Sequence, residues 1–384
     1  MHILWVGLLG AVALLWIAAA IELGRGVPSM LSLARFPPLQ DSQCPAVSIL
    51  VAARDEAEKL PGALETFLAL DYPNYEVVAV NDRSVDATGS ILHAAARDDS
   101  RLKLVSIDSL PSGWLGKPHA LQQAYEKSTG AWLVLTDADV HFRSDLLRRA
   151  LALAEENNLG HLTLLGHARM FNVGEKIVMT FFSLGFLMGI RPWRVNDPRS
   201  PVYAGVGAFQ LIRRSAYEKM GTHRRLAMEV VDDMKLGKLA KEAGVRSGVA
   251  RGGDAVSVHW HAGIGNIILG TTKNFFATTA FRVKIVALQI LGLALAFIFP
   301  ILALPFAHGW GRVFDLVGIA LPVIAMGGVC REFGVSLLYA LTYPAGALIF
   351  IWMLARSTIV TLWKGGIEWR GRFYPLDELK RGVV

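Results

Sequence analysis

Residues 3–21, ILWVGLLGAVALLWIAAAI, carry no charge and are long enough to cross a bilayer as a helix, which needs about 20 residues. No positive stretch precedes this run and no tight small-residue cleavage box follows it, so the flanks favour a retained anchor over a signal peptide. Three more apolar runs, 285–306, 313–329 and 333–355, are each near span length and are separated by short charged or glycine-containing breaks. Asp315 and the internal prolines interrupt these later runs, so one of them reads equally well as a buried bundle helix or a re-entrant hairpin. With hydrophobic residues at 53%, the composition argues against a wholly soluble protein. The net charge of +7 does not indicate nucleic acid as a partner. Arg282, Lys284, Lys364, Arg370, Arg372, Lys380 and Arg381 flank the apolar segments, where anionic headgroups are the better match.

Residues 46–262 lie between the apolar zones and have ordinary soluble composition, enough for one sizeable α/β domain. A Gly- and Pro-punctuated stretch, 25–45, reads as a linker from the 1–24 anchor. Cys44 and Cys330 are far apart in the chain, which suits a reducing compartment and no disulfide. Four times an apolar, β-branched run gives way to a turn and a helical stretch: AVSILVAARDEAEKL, YEVVAVNDRSVDAT, LKLVSID and AWLVLTDADV. Strands alternating with helices predict a mostly parallel sheet covered on both faces. Ligands bind such sheets at the carboxyl ends of the strands, and that is where Arg54, Glu56, Asp82, Asp137 and Asp139 fall.

Two carboxylates at i and i+2 leaving a strand, Asp137 and Asp139, can turn toward one hard cation that keeps positions open for phosphate oxygens. Short Asp-x-Asp strings also serve as turn and cap residues. Asp82 reads as a helix cap or as an acceptor for a base or ribose. Gly205 and Gly207 allow a close backbone approach or simply a tight loop. Asp232 and Asp233 open a helix, where the helix dipole favours acids, and one of them could serve as a positioned base. His259 and His261 share one face of any strand there, as packing residues or as one further metal contact. There is no Gly-x-Gly-x-x-Gly fingerprint after the first strand and no phosphate loop.

Taken in order, VSILVAARDEAEKL, VAVNDRSVDAT, GWLGKPHAL, LVLTDADV, the glycine loop and VVDDMKLGKLAKEAG resemble the family 2 glycosyltransferases of GT-A fold over residues 46–262. The resemblance implies a nucleotide-sugar donor, usually UDP-linked, a Mg²⁺ or Mn²⁺ ion, and a direct displacement that inverts the anomeric centre. It assigns Arg54, Glu56 and Asp82 to the nucleoside and sets Lys117 near the nucleotide. Asp137 and Asp139 become the metal- and diphosphate-binding DxD pair; His261 is a further candidate metal ligand by its strand position alone. Gly205 and Gly207 form the acceptor loop, and Asp232 and Asp233 the acidic pair whose second member is the base. The membrane pattern, GWLGK and WRGRFY (369–374) are similar to bacterial lipid glycosyltransferases, the hopanoid-associated and carotenoid-acid enzymes among them. GTTKNFFATTAFR stands where cellulose and chitin synthases carry Gln-x-x-Arg-Trp, which argues against processive synthesis.

The expectation is therefore a multi-pass inner-membrane transferase moving one hexose to a hydrophobic acceptor. Residues 263–283 would form an interfacial, acceptor-side segment, 284–363 about three membrane helices and 364–384 a basic tail. The apolar stretch 177–190 is either a membrane-surface element or a buried core helix. A polysaccharide synthase and a catalytically silent scaffold of the same fold are the alternatives. Arg25 and Arg35 place the soluble domain in the cytoplasm under the positive-inside rule. Three later crossings would then put the basic tail on the opposite side, so one apolar segment must stop short or fold back.

Overall fold

The computed structural model describes residues 2–384, with side chains from Leu4 onward. Met1, the first residue of the expected anchor, lies outside the described residues. The chain forms two units. A sheet unit gathers Met30–Arg169, Pro192–Trp260 and Arg370–Val384, and a helical unit gathers the N-terminal helix through Ser29, Met170–Arg191 and His261–Trp369.

The sheet unit is built on strands β1 (Leu31–Ser32), β2 (Val47–Ala53), β3 (Tyr75–Asp82), β4 (Leu102–Ile107), β5 (Trp132–Asp137), β6 (Val140–Phe142), β7 (His161–Ala168), β8 (Gln210–Arg213) and β9 (Ser247–Val258). Their order is β1-β9-β7-β8-β5-β2-β3-β4, with β6 paired to β9. The run β5-β2-β3-β4 is parallel throughout, so these four strands end on one edge. β8 runs antiparallel to both β5 and β7, and β6 antiparallel to β9, which makes the sheet mixed rather than simply parallel.

Burial on both faces explains the near-continuous apolar strands. Ile49, Val51, Val77, Ala79, Trp132 and Val134 enter one core cluster. Their alternating neighbours Leu50, Val78, Val80, Leu133 and Leu135 enter the other. The helix Leu60–Leu68 buries Leu60, Ala63, Leu64 and Phe67, the i, i+3, i+4, i+7 stripe of a one-sided helix.

Among the described residues, five helices are long and apolar enough to cross a membrane: Leu4–Ser29, Val173–Arg194, Val283–Phe306, Trp310–Glu332 and Leu337–Lys364. The N-terminal helix runs to Ser29, so the expected linker starts later, with Pro28 inside the last turn. Pro300 has no N–H to donate to the Ala296 carbonyl four residues back. The helix answers with a π turn at Ala294–Ile298, and Trp16 Nε1 donates to that carbonyl at 2.9 Å.

The stretch 177–190 falls in helix Val173–Ile190, which belongs to the helical unit and lies in the chain between two stretches of the sheet unit. Residues 370–384 also belong to the sheet unit.

Asp315 is 1% exposed, and neither of its carboxylate oxygens has a hydrogen-bond partner among the described residues. Leaving such a group unsatisfied costs about 1–3 kcal/mol or more. Asp315→Leu is expected to raise the unfolding temperature of the detergent-purified protein. A lowered temperature would mean that the carboxyl has a stabilising partner in the membrane.

Candidate active site

The loops leaving β2 and β3 are bonded to each other. Asp55 N–H donates to Ser84 Oγ (3.2 Å), Val85 N–H to Asp55 Oδ1 (2.8 Å) and Glu56 N–H to Thr88 Oγ1 (2.8 Å). Asp55 and Arg83, neither of them glycine, take φ values of 53° and 56°. Such conformations persist only where surrounding contacts hold them. Arg54 sits beside Asp55 at 3.8 Å, and the Asp82 carboxylate, buried at the end of β3, receives two hydrogen bonds from Arg83 (2.7 and 3.0 Å).

Asp137 ends β5 and Asp139 follows in the turn before β6. Lys117, in the first turn of helix Gly116–Lys127, donates to Asp137 Oδ1 at 2.6 Å. Lys59 donates to Asp139 Oδ2 at 2.9 Å and is also held by the carbonyls of His259 and Trp260 at 3.3 Å. Burial, and next the charge of Asp137, push the Asp139 carboxyl above its ordinary range against the pull of Lys59. Two hard oxygen donors that repel each other suit a divalent cation. Among the described residues no three His, Cys, Asp or Glu side chains converge, so remaining positions on an ion there would go to substrate oxygens or water.

Asp233 and Asp232 open helix Asp232–Glu242. A cleft beside them is lined by Lys117, Thr136, Gly207, Gln210, Asp232 and Asp233, with His223 at its back. Burial raises the Asp233 carboxyl to about 6; Lys117 opposes the shift, and Asp232 and Asp137 add to it. Burial alone would lower the Lys117 ammonium, but Asp137, Asp232 and Asp233 together hold it above its usual range. Asp233 Oδ1 accepts from the Met234 N–H (2.7 Å), which fixes the carboxylate at the helix start. Asp232 is buried and faces His223 Nε2 at 3.6 Å, and His223 Nδ1 shares a 2.6 Å hydrogen bond with the Tyr217 hydroxyl.

The two loop glycines have a physical reason. A Cβ on Gly207 would collide with the Asp137 carboxylate, and one on Gly205 with the Asp233 carbonyl oxygen. Their backbone thus lies against the acids, and Gly207 also accepts the Asp137 N–H at 3.0 Å. Gln210, which holds His161 at 2.9 Å and the Asp233 carbonyl at 3.2 Å, and His223 are cleft residues that sequence reading did not single out. His261 belongs to the helical unit, its ring packed where a Gly270 side chain would otherwise extend.

Residues 48–221 match the sequence model described as glycosyl transferase family 2. They form a family 2 glycosyltransferase domain. The glycosyltransferase domain is 34% identical over 118 residues to beta-monoglucosyldiacylglycerol synthase of Nostoc sp., covering 30% of this chain and 25% of that protein. It is 33% identical over 147 residues to succinoglycan biosynthesis protein ExoO of Rhizobium meliloti, covering 36% and 40%. The matched part thus spans between a quarter and two-fifths of these relatives' own lengths. Among solved structures, a mannosyltransferase from Pyrobaculum calidifontis in complex with GDP-Man and Mn2+ superposes with a TM-score of 0.50 at 18% identity, over 93% of this chain and 99% of the other. At that identity the likeness establishes the shared GT-A fold.

Proposed function

We propose that the protein is an inverting, metal-dependent glycosyltransferase that moves one hexose from a nucleotide sugar, UDP-linked in the leading case, to a lipid hydroxyl at the membrane. The observation that carries this reading is the Asp233 carboxylate, raised to about 6, in one cleft with Lys117, whose ammonium is bonded to Asp137. In the proposed reaction the acceptor oxygen forms a bond to the anomeric carbon as the bond from that carbon to the diphosphate oxygen breaks. The hydroxyl proton passes to Asp233, and the electron pair leaves on the nucleoside diphosphate. Lys117 meets the charge that develops on the diphosphate. Asp137 and Asp139 would hold a Mg²⁺ or Mn²⁺ ion, which offsets that same charge when bound. Arg54, Glu56 and Asp82 are assigned to the nucleoside, and the Gly205–Gly207 loop to the acceptor side.

A lipid acceptor is supported by the apolar helices and by the Nostoc relative, whose name specifies a glucosylated diacylglycerol. The Rhizobium relative is named for succinoglycan and favours a saccharide acceptor as the second reading. Nucleotide sugars are cytosolic, and the basic tail, which belongs to the sheet unit, suits a cytoplasmic catalytic face.

The test is nucleoside-diphosphate release by the detergent-purified chain across a panel of nucleotide sugars, with diacylglycerol or an oligosaccharide as acceptor and with Mn²⁺ or a chelator. The expected result is release with one donor, dependent on metal and stimulated by the lipid. Stimulation by the oligosaccharide alone would shift the acceptor to saccharide. No release under any condition would remove the transferase reading.

A further inference from the structure

Residues 370–384 reach back across more than 300 positions of chain to the loop after β2. Arg370 donates through Nη1 to the Asp55 carbonyl at 3.4 Å, and its Nη2 pairs with Glu56 Oε1. Two residues on, Arg372 Nη1 donates to the Leu110 carbonyl at 3.3 Å and its guanidinium lies 5.5 Å from the centre of the Tyr374 ring. Tyr374 is buried, within electrostatic range of Arg83, Arg54 and Asp82. The segment thus lies against the same residues that the proposed function assigns to the nucleoside.

The backbone is shaped for this contact. Arg370 takes a φ of 50° and Gly371 one of 74°, a left-handed pair that reverses the chain at its point of contact. Asp55, on the other side of the contact, is also left-handed. Arg370 and Gly371 form the two-residue turn between the paired strands Gly366–Trp369 and Arg372–Pro375, which accounts for their left-handed conformation and presents Arg370 at the hairpin tip. The charge pattern gives the Arg370–Glu56 pair a further use. Four acids at this edge each hold one cation: Glu56 with Arg370, Asp82 with Arg83, Asp137 with Lys117 and Asp139 with Lys59. Glu56 shares its turn with the cation of the DxD pair: the Lys59 N–H donates to the Glu56 carbonyl at 3.1 Å, and the Lys59 ammonium pairs with Asp139. The Arg370 side chain is 41% exposed, so a ligand can reach it.

We infer that Arg370 is a donor-binding residue, delivered by the 370–374 segment, that leaves Glu56 for the diphosphate of an incoming nucleotide. A planar guanidinium suits phosphate oxygens, and a carboxylate partner keeps it aimed while no anion is present. The inference rests on the proposed nucleotide-sugar site.

It is tested by equilibrium binding of UDP and GDP, and of uridine and guanosine, to the full chain in detergent, with Mn²⁺ and with chelator. Arg370→Ala is expected to weaken the diphosphate that binds wild type about tenfold while leaving its nucleoside unchanged, the loss of one charge-assisted contact. Arg370→Lys should recover part of the loss, and Glu56→Gln should keep the diphosphate-to-nucleoside affinity ratio at or above that of wild type. Unchanged or tighter diphosphate binding by Arg370→Ala overturns the inference alone, as does an equal loss of diphosphate and nucleoside, which would make the segment a structural wall. Wild-type protein that binds no nucleotide overturns the proposed site, and this inference with it.

Discussion

Asp233→Asn is expected to lower sugar transfer by about 10³-fold while nucleoside-diphosphate affinity stays within about threefold of wild type. Asparagine keeps the shape and the acceptor oxygen that receives the Met234 N–H, and it leaves Lys117 and Asp137 paired. The loss is confined to the ability to take a proton. Because Asp233 is raised to about 6, kcat/KM should fall about tenfold per pH unit below about 6 in the wild type. Asp232 is one of the charges that raise it, so Asp232→Asn should move that limb to lower pH. The stability effect has the opposite sign. The folded state holds this proton more tightly than the unfolded chain, so the stabilisation it brings is present at low pH and lost as pH rises through about 6. Asp233→Asn should therefore melt above wild type at neutral pH. A profile flat from pH 5 to 8, or a variant that retains transfer, would take the base role away from Asp233.

The second large effect is expected at Asp139. Asp139→Asn should reduce transfer by about 10²–10³-fold and abolish the gain in nucleoside-diphosphate affinity that Mn²⁺ gives the wild type, the loss of several kcal/mol of charge neutralisation. Lys59 keeps the His259 and Trp260 carbonyls as partners, so the loop should hold its place without the carboxylate. Titration of UDP and GDP with metal and with chelator reads this directly. An equal metal effect in variant and wild type would place the ion elsewhere. Asp137→Asn should lose the same metal response and, in addition, release Lys117 toward Asp232 and Asp233.

The acids at the strand ends were legible because the strands before them are mainly β-branched and aliphatic, and a parallel sheet brings such ends to one edge. Glycines 205 and 207 stood out by spacing, yet what they approach, the Asp137 carboxylate and the Asp233 carbonyl, follows only from the antiparallel insertion of β8. His223 carried no signal. It lies in a short 3₁₀ turn without periodicity, and its part arises from packing Tyr217 and Asp232 against it. Arg370 stands out in sequence only as part of WRGRFY and without a role, since its partners are 314 and 315 residues away.

The sheet unit is assembled from three stretches, with membrane-associated helices synthesised before the first and between each successive pair. A ribosome delivers β2 to β5 long before β8 and β9, and the segment carrying Arg370 only after the final apolar helix. On the proposed reading, completion of the donor pocket is thus tied to completed insertion. A chain stalled or misrouted in the lipid would hold an open, Arg370-deficient cleft, and excising residues 46–262 as a soluble fragment would yield a domain missing part of its own wall.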